Sequence, residues 1–309
     1  MTVLDYHKVE KPRIPRPGGP AILAAIILGE AILFAISDSY AILALILATL
    51  ISGIIGVVDD LKTLGGVAKP ALLLVAGLPI LALQFLVPHA DVFSYYFYLP
   101  FFFGKPAHIP LIYPLLVIIA IPVVTNTINT IDVLNGVASG FILIACIPVT
   151  LDIAFRVMLG RTDPVVLLAM FPIIAATGAF FIFHKYPSKI FPGDSGAIAL
   201  GAAYGTMAMI GGAEVVAVIA ILPAILNSFF FLSSMRRLIE HRQIKNQPTI
   251  SLPDGKVVAT DDPKAPITLM RMIVARTPLS EEEIASDILK LTLFCAFLAS
   301  VTAVLTWLI

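Results

Sequence analysis

Four short polar clusters interrupt an otherwise apolar chain of 309 residues: Asp59 to Lys69 (DDLKTLGGVAK), Asn126 to Asn135 (NTINTIDVLN), Phe191 to Asp194 (FPGD) and the pair His241-Arg242. Asp59, Asp60, Asp132 and Asp194, with Asn126, Asn129 and Asn135, offer hard oxygen donors. Such a set suits Mg²⁺ or Mn²⁺, not zinc, which favours Cys and His. Mg²⁺ is usually held by one or two protein oxygens and completed by substrate phosphates, so a phosphate-bearing substrate follows. Lys69 and Arg242 add cations suited to a polyanion, Lys as a point charge and Arg as a bidentate fork.

Taken singly, each piece has a plainer reading. Asp59-Asp60 could be a solvated helix end, Asn126 and Asn129 could satisfy backbone in a broken helix, and FPGD could be a turn entering a helix. Lys69 could snorkel from the start of a span, and Arg242 sits in a basic run that could touch anionic lipid. Their coincidence on one membrane face favours a single divided site, because a carboxylate at the centre of a membrane helix costs about 2.5 to 3.5 kcal/mol and clusters only around water, metal or substrate.

The elements that must position these residues are membrane helices. With 59% apolar and 13% charged residues, the chain cannot clothe a water-soluble domain of this length. Apolar runs predict nine spans in an all-α polytopic protein: Ala21 to Ile36, Ala41 to Val58, Ala71 to Val87, Leu111 to Val124, Val133 to Leu151, Val165 to Phe183, Ala197 to Ile210, Val215 to Leu232 and Ile288 to Ile309. The N-terminus and the connections after spans two, four, six and eight then share one side. That side carries seventeen Lys and Arg against three (Lys105, Arg156 and Arg161) on the other, which makes it cytoplasmic and puts all four clusters there. Met1 to Gly19 is polar and basic without an A-x-A-like cleavage site, so the first span is expected to stay in the mature protein.

The whole chain, 1–309, reads as one membrane-embedded domain. Its one sizeable extramembrane part is a cytoplasmic loop, 236–287, between the last two spans. There TISLPDGKVVAT predicts a small β-hairpin turning at Asp254-Gly255, and Ser280 with Glu283 predicts a capping box at the start of the last helix. On the opposite side, Ser94 to Phe103 (SYYFYLPFFF) reads as an interfacial aromatic segment. Cys146 and Cys295, inside apolar spans, read as buried free thiols. Glu30, near the middle of the first span, is an intramembrane carboxylate with no place in the clusters. Zero formal net charge gives no reason to expect nucleic acid.

In order, GVVDD with Lys69 nine residues after Asp60, NTINTIDVLNG, YPSKIFPGDSGAIALG and the HR of the last cytoplasmic loop resemble the polyprenyl-phosphate N-acetylhexosamine-1-phosphate transferase family, from roughly Pro12 to Ile309. Within it, the HKYPSKIFPGD stretch, the NTINTIDVLNG pattern and the hairpin-bearing loop look most like the eukaryotic and archaeal UDP-GlcNAc:dolichyl-phosphate GlcNAc-1-phosphate transferases. The bacterial phospho-MurNAc-pentapeptide transferase, with a run of histidines in the matching loop, is less similar. Two departures stand out: Glu240 occupies a position where eukaryotic members have Arg, and those members begin with one more membrane helix. The N-terminal HKVEKPRIPRPGG still resembles the glycine-containing loop that precedes the next helix in the family.

The resemblance implies transfer of GlcNAc 1-phosphate from UDP-GlcNAc to a polyprenyl or dolichyl-type phosphate, with release of UMP, in an integral, multi-pass protein acting at the cytoplasmic face. It implies Mg²⁺, or Mn²⁺ in its place, on Asn129 and Asp194, with Lys69 and Arg242 neutralising the diphosphate. Asn135 would bind uracil, Phe191 would stack on it, and the His241-Arg242 loop would border the sugar. Asn126 and Asp132 would line the substrate site. Asp59 and Asp60 would lie beside the attacking lipid phosphate, Asp59 as base or positioning carboxylate. A homodimer is also implied. Two other readings stay open: the same chemistry on MurNAc-pentapeptide or GalNAc, and a multi-spanning transporter, whose polar groups should gather at mid-span rather than at one set of helix ends.

Overall fold

The computed structural model describes residues 2–4, 12–16, 18–100, 106–236 and 244–308, so His241, Arg242 and Phe101 to Phe103 lie outside the described residues. Two strands, β1 (Thr2–Leu4) and β2 (Arg13–Pro15), pair antiparallel ahead of the first helix. Helices α1 (Gly18–Ser37) and α2 (Tyr40–Leu61) form a hairpin turning at Asp38. Next come α3 (Ala68–Leu73), a 3₁₀ turn (Leu74–Gly77) and α4 (Leu78–Leu86), which together make one span. Strands β3 (Tyr96–Phe97) and β4 (Ala107–His108) form a short ribbon on the way to α5 (Tyr113–Ile131). After α6 (Val137–Met158), α7 (Pro164–Leu168) and α8 (Met170–His184) share a span and lead to α9 (Gly193–Ile210).

Among the described residues, seven helical segments are long and apolar enough to cross a membrane, and an eighth span arises if the pair α10 (Glu214–Ala220) and α11 (Leu222–Met235), bent by 67° at Ile221, counts as one. The seventh expected span, Ala197 to Ile210, is α9, and it differs in kind. All eighteen of its residues are buried, between α2, α5 and α1. Such a helix needs no large apolar surface for lipid, and its run of Gly, Ala and Ser lets neighbouring backbones approach closely. Its first turn, where Asp194 sits, is therefore fixed from several sides.

The extramembrane loop forms the expected hairpin, β5 (Thr249–Ser251) with β6 (Lys256–Ala259), and β7 (Leu279–Ser280) adds a third strand. Ser280 and Glu283 bond reciprocally at 2.8 and 3.3 Å as a capping box where α13 (Glu281–Leu308) begins. Arg271, on the short α12 (Leu269–Ile273), donates to the carbonyls of Thr260, Asp262, Ala265 and Pro266 and so gathers the loop. Asn227 of α11 ties this loop to the bundle: its amide donates to Thr130 O at 3.0 Å and accepts from Leu269 N at 2.8 Å. Cys146 and Cys295 are buried and free, and Glu30 is fully buried with no hydrogen-bond partner among the described residues.

Candidate active site

Asp59 and Asp60 sit in the last turn of α2, and their side chains turn to different partners. Asp59, fully buried, meets Lys69 Nζ at 2.5 Å and accepts the Leu64 backbone N–H at 2.6 Å, so it holds both ends of the Lys62 to Lys69 connection. Lys69, on the first turn of α3, also lies 3.4 Å from Asn129 Oδ1 and 3.7 Å from Asp194 Oδ1. Asn129 in turn donates to Asp194 Oδ1 at 2.9 Å. Three of the four sequence clusters thus meet around one ammonium group. Burying a charge pair is unfavourable unless its remaining lone pairs are satisfied, and here they largely are.

Asp60, expected beside the attacking phosphate, caps α9. Its Oδ1 accepts Asp194 N–H at 2.9 Å, and its Oδ2 accepts Ser195 N–H at 3.0 Å and the Ser195 hydroxyl at 2.6 Å. These are first-turn donors that have no partner within their own helix, and a carboxylate there also complements the helix dipole. Gly193 makes the approach possible. It has φ +68°, and a Cβ on it would fall 2.8 Å from Asp60 Oδ2. Arg16, not among the residues expected at the site, bridges the cluster: its guanidinium is 2.7 Å from Asp194 Oδ2 and 3.1 Å from Asp60 Oδ1.

A second group surrounds the segment between α8 and α9. Asn135, expected to bind uracil, is bonded within the protein: Oδ1 accepts Ser188 N–H at 2.8 Å, and Nδ2 donates to Glu281, whose carboxylate also takes the Asn135 N–H at 3.0 Å. Phe191 stands edge-on to His184 with ring centres 6.3 Å apart. His184 is bonded to Ser139 through Nδ1 at 2.8 Å, and its Nε2 lies 4.0 Å from Asp132. Burial, followed by the Asp194 charge, pushes the Asp132 carboxyl up to about 7. Asn126 donates to Pro122 O at 2.7 Å and also lines the apolar cavity beside Lys69.

An apolar cavity of about 570 Å³ opens beside Lys69 and Asn129. It follows α5 from Asn129 back to Ile119, roughly 15 Å of helix at 1.5 Å per residue, with Val123 on one wall and Phe229 and Leu232 of the bent α11 on another. The cavity therefore joins a long greasy groove to a charged end.

Residues 42–212, more than half of the chain, match the sequence model of glycosyl transferase family 4. The chain belongs to this family. It is 29% identical over 211 residues to a Saccharolobus solfataricus protein carrying the provisional name UDP-N-acetylglucosamine–dolichyl-phosphate N-acetylglucosaminephosphotransferase, covering 67% of this chain and 62% of that one. A Methanocaldococcus jannaschii protein provisionally named a glycosyltransferase is 27% identical over 91% of this chain and 81% of its own length. The phospho-N-acetylmuramoyl-pentapeptide-transferase of a Wolbachia species is 34% identical over 65% of this chain and 61% of its own. The chain thus spans less than two thirds of the Saccharolobus and Wolbachia relatives it matches.

The matched region of this family 4 chain holds Asp59, Asp60, Lys69, Asn129 and Asp194, but not Arg16, His241 or Arg242. Among the described residues no group of three His, Cys, Asp or Glu is placed to hold a metal ion by itself. The oxygen donors present would suit Mg²⁺, which needs only one or two protein oxygens when phosphates complete the shell, with Arg16 and Lys69 as the cations it would have to displace from Asp194. Of the residues missed in the sequence, Ser195 follows Asp194 directly in the quoted motif, and Arg16 lies in the quoted N-terminal tail. The signal for both was adjacency alone.

Proposed function

We propose that this chain transfers N-acetylglucosamine 1-phosphate from UDP-GlcNAc to a polyprenyl phosphate of dolichyl type, releasing UMP and leaving a diphosphate-linked lipid. The observation that carries the reading is the apolar cavity ending at Lys69 and Asn129, which suits a long isoprenoid chain with an anionic head. The provisional name of the Saccharolobus relative supports UDP-GlcNAc and dolichyl phosphate. The excess of basic residues on the side of the clusters supports a cytoplasmic site.

Phosphoryl transfer depends mainly on alignment and charge neutralisation. Lys69 neutralises a phosphate oxygen at the cavity mouth, and Asp59 aims it. A lipid phosphate is already ionised near neutral pH, so Asp59 serves as a positioning carboxylate more than as a strong base. Asp194 and Asn129 would hold Mg²⁺, which when bound supplies charge neutralisation for the diphosphate. Asp60 keeps Asp194 in place by capping α9. Asn135 acts on the nucleotide through the segment it fixes at Ser188, which carries Phe191 to the uracil. By resemblance, His241 and Arg242 border the N-acetyl sugar and the diphosphate.

A second reading keeps the chemistry and changes the sugar to MurNAc-pentapeptide, in line with the identity to the Wolbachia enzyme. A panel of UDP-sugars, assayed for UMP release with polyprenyl phosphate and Mg²⁺, separates the two. The proposal expects UDP-GlcNAc to be used best and Asp194→Asn to abolish the release while the protein still purifies folded. Turnover of none of the sugars would return the transporter.

A further inference from the structure

Arg16 reaches the site from outside the region that matches the family. Its backbone is stapled on both sides to the segment that precedes Asp194: Phe191 N–H donates to Pro15 O at 2.9 Å, and Gly18 N–H donates to Phe191 O at 3.1 Å. One residue further on, a Cβ on Gly19 would fall 2.0 Å from Ser195 Oγ, so only glycine lets the chain run this close to the start of α9. The guanidinium then lies between Asp194 at 2.7 Å and Asp60 at 3.1 Å, with a fifth of its side chain still exposed. This is a cation held against the carboxylate proposed for the divalent metal, at the rim of the site.

We propose that Arg16 is a diphosphate-binding residue held in reserve by Asp194 and Asp60. Without a divalent cation, its positive charge occupies Asp194. With one bound there, like charges repel and an acceptor oxygen is withdrawn, so the partly exposed guanidinium turns to the nucleotide diphosphate, whose paired anionic oxygens match its planar fork. Asp60, which keeps its bonds to the α9 backbone throughout, remains the pivot. The inference deepens the proposed function and rests on its nucleotide-diphosphate substrate. It predicts two effects of opposite sign when Arg16 is removed: metal binds more tightly, because its competitor is gone, and nucleotide binds more weakly.

The test uses the full chain purified in detergent and reads binding, not turnover. Mn²⁺ is titrated without nucleotide and the free ion followed by electron paramagnetic resonance; UDP is then titrated calorimetrically at saturating Mn²⁺. Arg16→Gln is expected to lower the Mn²⁺ Kd and raise the UDP Kd, each roughly tenfold, the scale of one charge-assisted hydrogen bond. Arg16→Lys, which keeps the charge without the fork, covers the event that the glutamine variant does not fold; it is expected to raise the UDP Kd with a smaller change for Mn²⁺. An unchanged or weakened Mn²⁺ affinity in Arg16→Gln, or an unchanged UDP affinity in Arg16→Lys, overturns the proposal. A wild-type chain that binds Mn²⁺ but no UDP would instead sink the proposed function, while the Mn²⁺ comparison would still decide whether Arg16 competes for Asp194.

Discussion

Replacing Asp60 by Ala separates a capping role from a chemical one. The wild-type carboxylate accepts two backbone N–H groups and one hydroxyl at the start of α9, at 2.9, 3.0 and 2.6 Å, and it pairs with Arg16. Loss of a helix N-cap costs about 0.5 to 2 kcal/mol, and each buried donor left unsatisfied costs about 1 to 3 kcal/mol. The Asp60 side chain is 13% exposed, so water can reach part of the gap, and the Arg16 pair is discounted as partly solvated. A net loss of about 2 to 4 kcal/mol follows for Asp60→Ala, against about 1 kcal/mol for Ser195→Ala, which removes a single hydroxyl bond. Thermal or denaturant unfolding in detergent, run beside UMP release, measures both. The reasoning fails if Asp60→Ala is as stable as the wild type yet inactive, since Asp60 would then act on the substrate and not through α9.

The structure supports further expectations. Asp59→Asn weakens the hold on Lys69 and should slow turnover far more than it weakens UDP-sugar binding; equal losses in the two would leave only an electrostatic role. Val123→Trp narrows the apolar cavity and should raise the KM for long polyprenyl phosphates while that for UDP-GlcNAc stays put, a split that kinetics with long and short acceptors would show. Asp132, with its carboxyl raised from 3.8 to about 7, keeps a proton in the folded chain that the unfolded chain has already released. Its stability contribution is therefore fully present below about pH 4 and declines as pH rises to about 7. Asp132→Asn should match the wild type near the acid end and exceed it in melting temperature above about pH 7; a parallel pair of pH curves would contradict this.

The spans and the three clusters that meet around Lys69 were readable because each depends on local composition: runs of Leu, Ile and Val for lipid, and hard oxygen donors bunched at helix ends. The run Ala197 to Ile210 was legible as a helix, but its burial on all sides was not, since the Gly and Ala that let other helices pack around α9 show only in the fold. The division of labour inside the clusters was not readable. Asp59 and Asp60 are neighbours in sequence, but only the fold turns one toward Lys69 and the other toward a helix start 134 residues away. Arg16 meets Asp194 across 178 residues, and Asn135 finds Ser188 and Glu281 across 53 and 146. The cavity is lined in part by α11, past the bend at Ile221 that the continuous apolar run Val215 to Leu232 concealed.

The central claim is that a sugar phosphate, and not the sugar alone, moves onto the lipid. Mass analysis of the lipid product, with the released nucleotide identified in the same reaction of UDP-GlcNAc, Mg²⁺ and a short polyprenyl phosphate, tests it most directly. A lipid carrying GlcNAc through a diphosphate, together with an equal amount of UMP, is the expected result. A lipid that has gained GlcNAc without a second phosphate, accompanied by UDP, would contradict it.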